Sequence, residues 1–219
     1  EQHQVRFFGG GTRLARGRTR DGRMIAVPAL WTVDRPEALT INASGVATTT
    51  NTVGGDVVVT ARQGTLAATA SVRVILDFGV RAPGAPAGVE NAFPPSATQG
   101  SDMARAPAWV YPASETVFPQ NVYKVLFQWR RGTGNDRFRV TFESDRTRVV
   151  IYTDGAHPTC TMAGTGLGCF EPTLEIWRYI AGSNPRASVH VTVNGAAAAT
   201  PMTFYRSSTL TVGFSRGPV

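Results

Sequence analysis

Short apolar runs that alternate with polar residues make up most of the chain, and glycine-containing turns separate them. The clearest run is Arg137–Glu143, in which Phe138, Val140 and Phe142 all fall on one face of a strand. A period of two is typical of half-buried β-strands. Many short strands at close spacing therefore predict an all-β fold built from antiparallel β-sandwiches.

The strands can be placed from this pattern. In the first half they are predicted at Met24–Val27, Leu30–Val33, Leu39–Ile41, Val46–Thr48, Val57–Ala61 and Ala67–Leu76, and in the second half at Val122–Trp129, Phe138–Phe142, Arg148–Tyr152, Ser188–Val193 and Thr209–Phe214. A single helical signal lies at 171–180, where Leu174, Trp177 and Ile180 are spaced three apart and Pro172 lies near the first turn. One short helix or 3₁₀ segment is expected to cap the second sandwich.

Prolines are concentrated in the middle of the chain, where residues 83–119 hold half of the 14 prolines. Proline fixes φ and removes a backbone donor, so this stretch is expected to run as an extended, semi-rigid connector. Its aromatic residues indicate that part of it packs against a sandwich. The predicted organisation is a first sandwich at 1–78, a Pro/Gly/Ala-rich connector at 79–108 and a second sandwich at 109–219.

Four segments of the first half follow one another in an order that is characteristic of a known module. Residues 29–34 form a strand with a core tryptophan, Trp31, and residues 38–47 form a hairpin with an Asn-Ala-Ser-Gly-Val turn. A glycine turn and strand at 54–61 and a closing strand at 67–74 follow. Together they resemble the bacterial immunoglobulin-like domain of group 2 (Big2). This resemblance implies an Ig-like sandwich and a secreted or surface-anchored parent protein such as an adhesin.

The second half carries a more distant resemblance. A proline-bearing segment at Tyr111-Pro112 leads into a strand that ends on Trp129, and this resembles a fibronectin type III or other Ig-like module. Trp31 and Trp129 are the predicted structural core tryptophans, because a large ring can hold two sheets about 10 Å apart. Removal of either is expected to cost about 3–5 kcal/mol of stability.

Two cysteines, Cys160 and Cys169, lie nine positions apart with three glycines between them. A disulfide is the preferred interpretation, since it would close a flexible loop and add about 2–3 kcal/mol of stability. Such a bond indicates an oxidising setting: periplasm, cell surface or medium. Two alternatives stay open, a pair of reduced thiols and a metal site, although His157 is the one nearby ligand and leaves a zinc site incomplete.

The net charge of +7 comes from 22 basic residues, of which Lys124 is the single lysine. This arginine bias is typical of a GC-rich genome and weakens a nucleic-acid interpretation. The charge permits weak attraction to anionic glycans, but no specific nucleic-acid binding is predicted. No apolar stretch approaches the ~20 residues of a membrane-spanning helix. The chain begins at Glu1 without a leader pattern, so a signal peptide is expected to be absent already.

Motifs for catalysis are missing from the sequence. The three histidines lie in unrelated contexts, and neither a Walker motif nor a Gly-x-Ser-x-Gly turn is found. No catalytic, cofactor-binding or metal-binding residues are therefore predicted, and no enzyme activity is expected. Calcium at an interdomain turn stays open.

A candidate ligand surface is predicted from arginines and aromatic residues, because a ring can stack on a sugar while guanidinium binds hydroxyls or carboxylates. Its members are Arg137, Arg139, Arg148, Trp177 and Tyr179. A core position for Trp177 is the alternative.

The sequence as a whole predicts a non-catalytic extracellular or cell-surface module of a bacterial protein, which acts as a spacer or as an assembly subunit that pairs with another copy of itself. The alternative is a carbohydrate-binding accessory module of a secreted enzyme or adhesin, with a surface polysaccharide as its partner.

Overall fold

The computed structural model describes the backbone of residues 4–7, 16–18 and 24–26, and residues 28–122, 124–157 and 166–215 in full. The predicted all-β class is confirmed, with a single α-helix, α1 (Leu174–Ser183), in the described part. The strands are β1 (Gln4–Phe7), β2 (Arg16–Arg18), β3 (Met24–Ala26), β4 (Leu30–Val33), β5 (Leu39–Ile41), β6 (Ala47–Thr49), β7 (Gly55–Gln63), β8 (Leu66–Arg81), β9 (Thr98–Gln99), β10 (Ala108–Tyr111), β11 (Thr116–Phe118), β12 (Phe127–Arg130), β13 (Arg137–Glu143), β14 (Thr147–Thr153), β15 (Leu167–Phe170), β16 (Ser188–Ala196), β17 (Thr203–Arg206) and β18 (Leu210–Phe214).

One large sheet runs through both halves of the chain. Its main strand order is β11-β18-β16-β13-β14-β8-β7-β4, and β1, β17 and β9 pair beside this path. A three-stranded sheet, β10-β12-β15, packs against it in the second half, and the β5-β6 hairpin packs against it in the first. Most pairs are antiparallel, but β14-β8, β11-β18 and β17-β9 are parallel.

The long strand β8 belongs to both sandwiches. Residues 66–74 of β8 pair with β7, and residues 76–81 pair with β14 on the same edge of the strand. β1 pairs with residues 74–77 on the opposite edge, where the partner changes. The predicted strand ends at Leu76, but the two-residue alternation continues through Phe78 and Val80, so β8 runs five residues further, into the second half of the large sheet.

The two cores differ in size. The larger core lies in the second half and contains most of the fully buried aromatic side chains: Trp129, Trp177, Phe127, Phe138, Phe142 and Phe170. The smaller core of the first half is aliphatic and is built around Leu39, Val57 and Val74. Trp129 is 0% exposed, whereas Trp31 is half-buried and packs at the margin of the smaller core.

The proline-rich segment packs against the second sandwich. It forms a short 3₁₀ turn at Val89–Ala92, and β9 pairs with β17. Ala92 and Phe93 are buried against Ala196, and the rings of Tyr152 and Phe204 pack beside them. The segment expected to be an extended connector at 79–108 is therefore partly built into the fold. Residues 79–81 belong to β8, and Ala92 and Phe93 cover part of the outward face of the sheet.

Candidate functional site

The five residues predicted to form a ligand surface lie on two sides of the large sheet. Arg137, Arg139 and Arg148 are on the outward face of β13 and β14, because they alternate with buried residues. Trp177 and Tyr179 are on α1, which packs on the core side of that sheet. The structure therefore does not bring the arginines and the aromatic residues together.

Trp177 is a core residue. Its side chain is 2% exposed, and its ring centroid lies 5.3 Å from that of Phe214 and 5.5 Å from that of Phe118. The expectation that Trp177 presents a ligand surface is corrected by this burial, and the core alternative describes its position. The helical spacing that places Ile180 on the same face of α1 directs both side chains inwards.

Tyr179 is half-buried and is engaged within the protein. The edge of its ring meets Phe78 at a centroid distance of 6.3 Å, and its hydroxyl donates a hydrogen bond of 2.6 Å to Glu175. This hydrogen bond raises the pKa of Tyr179, and burial raises it further. The tyrosine serves to anchor α1 to β8.

The outward face of the second half is an ordered array, because neighbouring strands fix which side chains lie opposite one another. The first row across the strands is Arg81, Tyr152, Arg139, Asn194 and Arg206. The middle row is Gly79, Val150, Thr141 and Thr192. The third row is Asp77, Arg148, Glu143, His190 and Thr211. A row of small side chains thus separates two rows of long ones, with about 7 Å between successive rows.

Arg139 occupies an unusual place in the first row. Its guanidinium carbon lies 5.2 Å from the ring centroid of Phe93 and 5.3 Å from that of Phe204, so it is held between two aromatic rings. Burial lowers the pKa of Arg139; Tyr152 opposes this shift, and the positive charges of Arg148 and Arg206 add to it. Within the described residues, neither Arg139 nor Arg206 makes an ion pair or a side-chain hydrogen bond.

The other two predicted arginines have acidic neighbours. Arg148 Nη1 lies 3.2 Å from Asp77 Oδ1. Arg137 Nη1 donates to the backbone oxygen of Asp136 at 2.9 Å and lies 3.5 Å from its carboxylate. These contacts balance the charges of Arg137 and Arg148, in contrast to those of Arg139 and Arg206.

A groove of about 310 Å³ opens where the middle row reaches β16. It is lined by Glu143, His190, Thr192, Arg206 and Thr209. No motif in the sequence marks these residues as a site, although His190 falls within the predicted strand Ser188–Val193. The alternation of residues along each strand predicts that these side chains lie on the outward face. Only the pairing of β13, β16 and β17 brings them together in space.

The joint between the two halves holds a closed ring of four charges. Asp56 accepts from Arg73 Nε at 2.7 Å and lies 3.3 Å from Arg146 Nη2. Asp145 lies 3.4 Å from Arg73 Nη1 and 3.8 Å from Arg146 Nε. The hydrogen bond from Arg73 holds the pKa of Asp56 below its usual value, although partial burial opposes this effect.

Buried hydrogen bonds cross the same joint. The backbone N–H of Gly54 donates to Ser183 Oγ at 2.8 Å, and the Ser183 hydroxyl donates to the Tyr179 carbonyl at 2.6 Å. The N–H of Leu76 donates to the carbonyl oxygen of Arg146 at 3.0 Å. The end of α1 and the β13-β14 turn are thereby tied to the first sandwich.

The predicted disulfide falls partly outside the described residues, because Cys160 lies in the segment 158–165. Cys169 is buried on β15, opposite Gln128 of β12. The Cys160–Cys169 bond stays a prediction.

No group of three or more His, Cys, Asp or Glu side chains in the described part of the chain is arranged to hold a metal ion. Within the described ranges, no helix is long and apolar enough to cross a membrane.

Comparisons with known proteins yield little. No family model matches the chain, and no curated protein matches it. Among solved structures, the chain is similar to domains 4 and 5 of the S-layer protein SbsC, with 10% sequence identity over 98% of both chains and a TM-score of 0.23. A likeness at this level carries no argument about fold or function.

Proposed function

We propose that this chain is a non-catalytic structural module of an extracellular or cell-surface bacterial protein, in which two sandwiches act as one stiff spacer. The observation that carries the proposal is that both sandwiches share the strand β8. The same edge of β8 pairs first with β7 and then with β14. The Big2-like order of segments in the first half is the reason for the surface location in this proposal.

A shared strand makes a joint stiffer than a linker does. Domains within one chain move relative to each other by default unless their interface is extensive. Here, bending at the joint breaks backbone hydrogen bonds of β8 and exposes the buried contact between Gly54 and Ser183. The exposed charge ring adds little by itself, because such pairs contribute about 0.2–1 kcal/mol each.

Stiffness is tested by ¹⁵N relaxation of the purified chain. Both sandwiches are expected to tumble with one common rotational correlation time. Ser183→Ala removes the acceptor for the Gly54 N–H and is expected to increase motion between the halves, whereas Ser101→Ala, at an exposed serine, serves as the matched control. Separate correlation times for the two halves of the unmodified chain contradict the proposal.

Location is tested independently with antibodies raised against the folded chain. Intact producing cells, or their medium, are expected to carry the antigen without permeabilisation. Antigen that becomes accessible only after the cells are opened refutes the surface location, whatever the relaxation measurements show.

An assembly role is favoured by the two ends of the large sheet. β4 and β11 are its terminal strands, and Leu30 (68% exposed) and Val117 (62% exposed) point into solvent there. Within the described residues each strand pairs on one side only, so a second copy could extend the sheet. Sedimentation velocity over a range of concentrations tests this role, and a monomer at every concentration rules it out.

A further inference from the structure

The groove beside Arg206 combines an exposed cation with a hydroxyl-lined floor. Thr192 forms the floor and is 6% exposed, while Thr209 and His190 add polar groups at the sides. Glu143 lies across the floor from Arg206. Small side chains at the floor leave room for a ligand, and the walls offer both hydrogen-bond donors and acceptors.

Two arginines, Arg206 and Arg139, put positive charge beside one wall of the groove, and neither makes an ion pair with any residue that the structure describes. Arg206 and Arg139 lie on either side of Asn194, about 10 Å apart at their Cα atoms by strand spacing. Neither guanidinium has an acidic partner in the described part of the chain, and the nitrogens of Arg139 keep contact with solvent despite the two rings that hold it. A partly buried guanidinium without a partner is costly unless an anion completes the site.

Asn194, which lies between the two arginines, has an unsatisfied side-chain oxygen in the part of the chain that the structure describes. The side-chain oxygen of Asn194 is buried and has no hydrogen-bond donor within the described residues. Buried polar atoms in proteins are almost always satisfied by protein, water or ligand. The corner formed by Arg139, Asn194 and Arg206 is therefore polar and incomplete.

We propose that this groove binds an acidic saccharide, with the sugar carboxylate on Arg206, where the nearby charge of Arg139 adds attraction, and the sugar hydroxyls on Thr192, Thr209 and Glu143. This binding function goes beyond the role of a stiff spacer and does not depend on it. Guanidinium matches a carboxylate in a bidentate geometry, which a lysine would not provide. The threonine hydroxyls both donate and accept, as sugar hydroxyls do.

The carboxylate of Glu143 makes the groove more suitable for a saccharide with one acidic group than for other anions. Glu143 accepts hydrogen bonds but repels negative charge, so it favours a ligand with neutral hydroxyls at this end and a single acid at the Arg206 end. An acidic peptide or a nucleic-acid strand carries charge at every repeat. Such a ligand would place an anion next to Glu143.

The test uses the purified chain and, as the probe, a disaccharide of one glucuronate and one neutral galactose, with calorimetry at about 0.15 M salt. The methyl ester of this disaccharide is the matched neutral ligand, and hexaglutamate is the acidic peptide. Saturable binding of the acid form is expected, with at least about tenfold weaker binding of the ester and of the peptide.

Protein variants locate the site. Arg206→Gln is expected to weaken binding at least about tenfold, and Thr192→Val, which keeps the β-branched shape, at least about threefold. Arg62→Gln removes the same charge from an exposed site on β7 and is expected to leave binding unchanged. Circular dichroism confirms that each variant is folded.

Three results overturn the proposal. They are no saturable binding of the acidic disaccharide at millimolar concentration, equal weakening by Arg206→Gln and Arg62→Gln, or hexaglutamate binding as tightly as the sugar acid. The second result would reduce the effect to overall charge. None of these results affects the relaxation test of stiffness, so the two proposals fail separately.

Discussion

Replacement of Gly54 by alanine tests whether the two sandwiches are locked together at the joint. A Cβ atom at this position would overlap the carbonyl oxygen of Arg146 and would lie 3.1 Å from both the Leu76 nitrogen and the Val74 oxygen. All three are backbone atoms, so no side-chain rotation relieves the overlap. The chain must separate where the first sandwich meets the β13-β14 turn.

The cost follows from the hydrogen bonds that separation breaks. The bonds from Leu76 to Arg146 (3.0 Å) and from Gly54 to Ser183 (2.8 Å) are both lost. Each costs about 1 kcal/mol if water replaces the partner and up to about 3 kcal/mol if the group stays buried. Alanine recovers about 0.4–1 kcal/mol by reducing the entropy of the unfolded chain. Gly54→Ala is therefore expected to lower the free energy of unfolding by about 1–5.5 kcal/mol.

Urea denaturation monitored by tryptophan fluorescence measures this change, since Trp31 reports on the first sandwich and Trp129 on the second. The unmodified chain is expected to unfold in one transition and Gly54→Ala in two, with the first sandwich melting earlier. Gly79→Ala is the matched control, because its Cβ would make ordinary van der Waals contacts, with the ring of Tyr152 at 3.4 Å and with Val150 at 3.9 Å. The reasoning is refuted if Gly54→Ala unfolds within about 0.5 kcal/mol of that control.

Three further outcomes are expected. The pKa of Asp56 is lower in the folded protein than its ordinary value of 3.8, so the stability that ionised Asp56 contributes is present above pH 3.8 and is lost as the pH falls through the folded pKa. Asp56→Asn should therefore flatten the acid limb of a plot of melting temperature against pH. Trp129→Ala is expected to cost about 3–5 kcal/mol in chemical denaturation, and Trp31→Ala less, because Trp31 is only half-buried; equal losses would contradict the core assignment. Alkylation of the native protein followed by intact-mass analysis should modify neither Cys160 nor Cys169, and rapid labelling of both would exclude the disulfide.

Local pattern was enough to find most strands. The predicted Leu30–Val33 and Leu39–Ile41 coincide with β4 and β5, and the alternation in Arg137–Glu143 identifies the buried face of β13. The missed strands are short, such as β9 with two residues and β17 with four, and β2 consists of polar and small residues. Such segments are held by pairing with a neighbour, and their own sequence carries little signal.

The sequence by itself determined the all-β class, the position of the short helix and which side chains of each strand share a face, because these depend on a residue's near neighbours and the period of two. Only the tertiary structure decided which strands pair. Backbone hydrogen bonds are the same for every residue, so no local signal marks the change of partner along β8 or the meeting of Thr192 with Arg206. Both the joint and the groove are products of that long-range pairing.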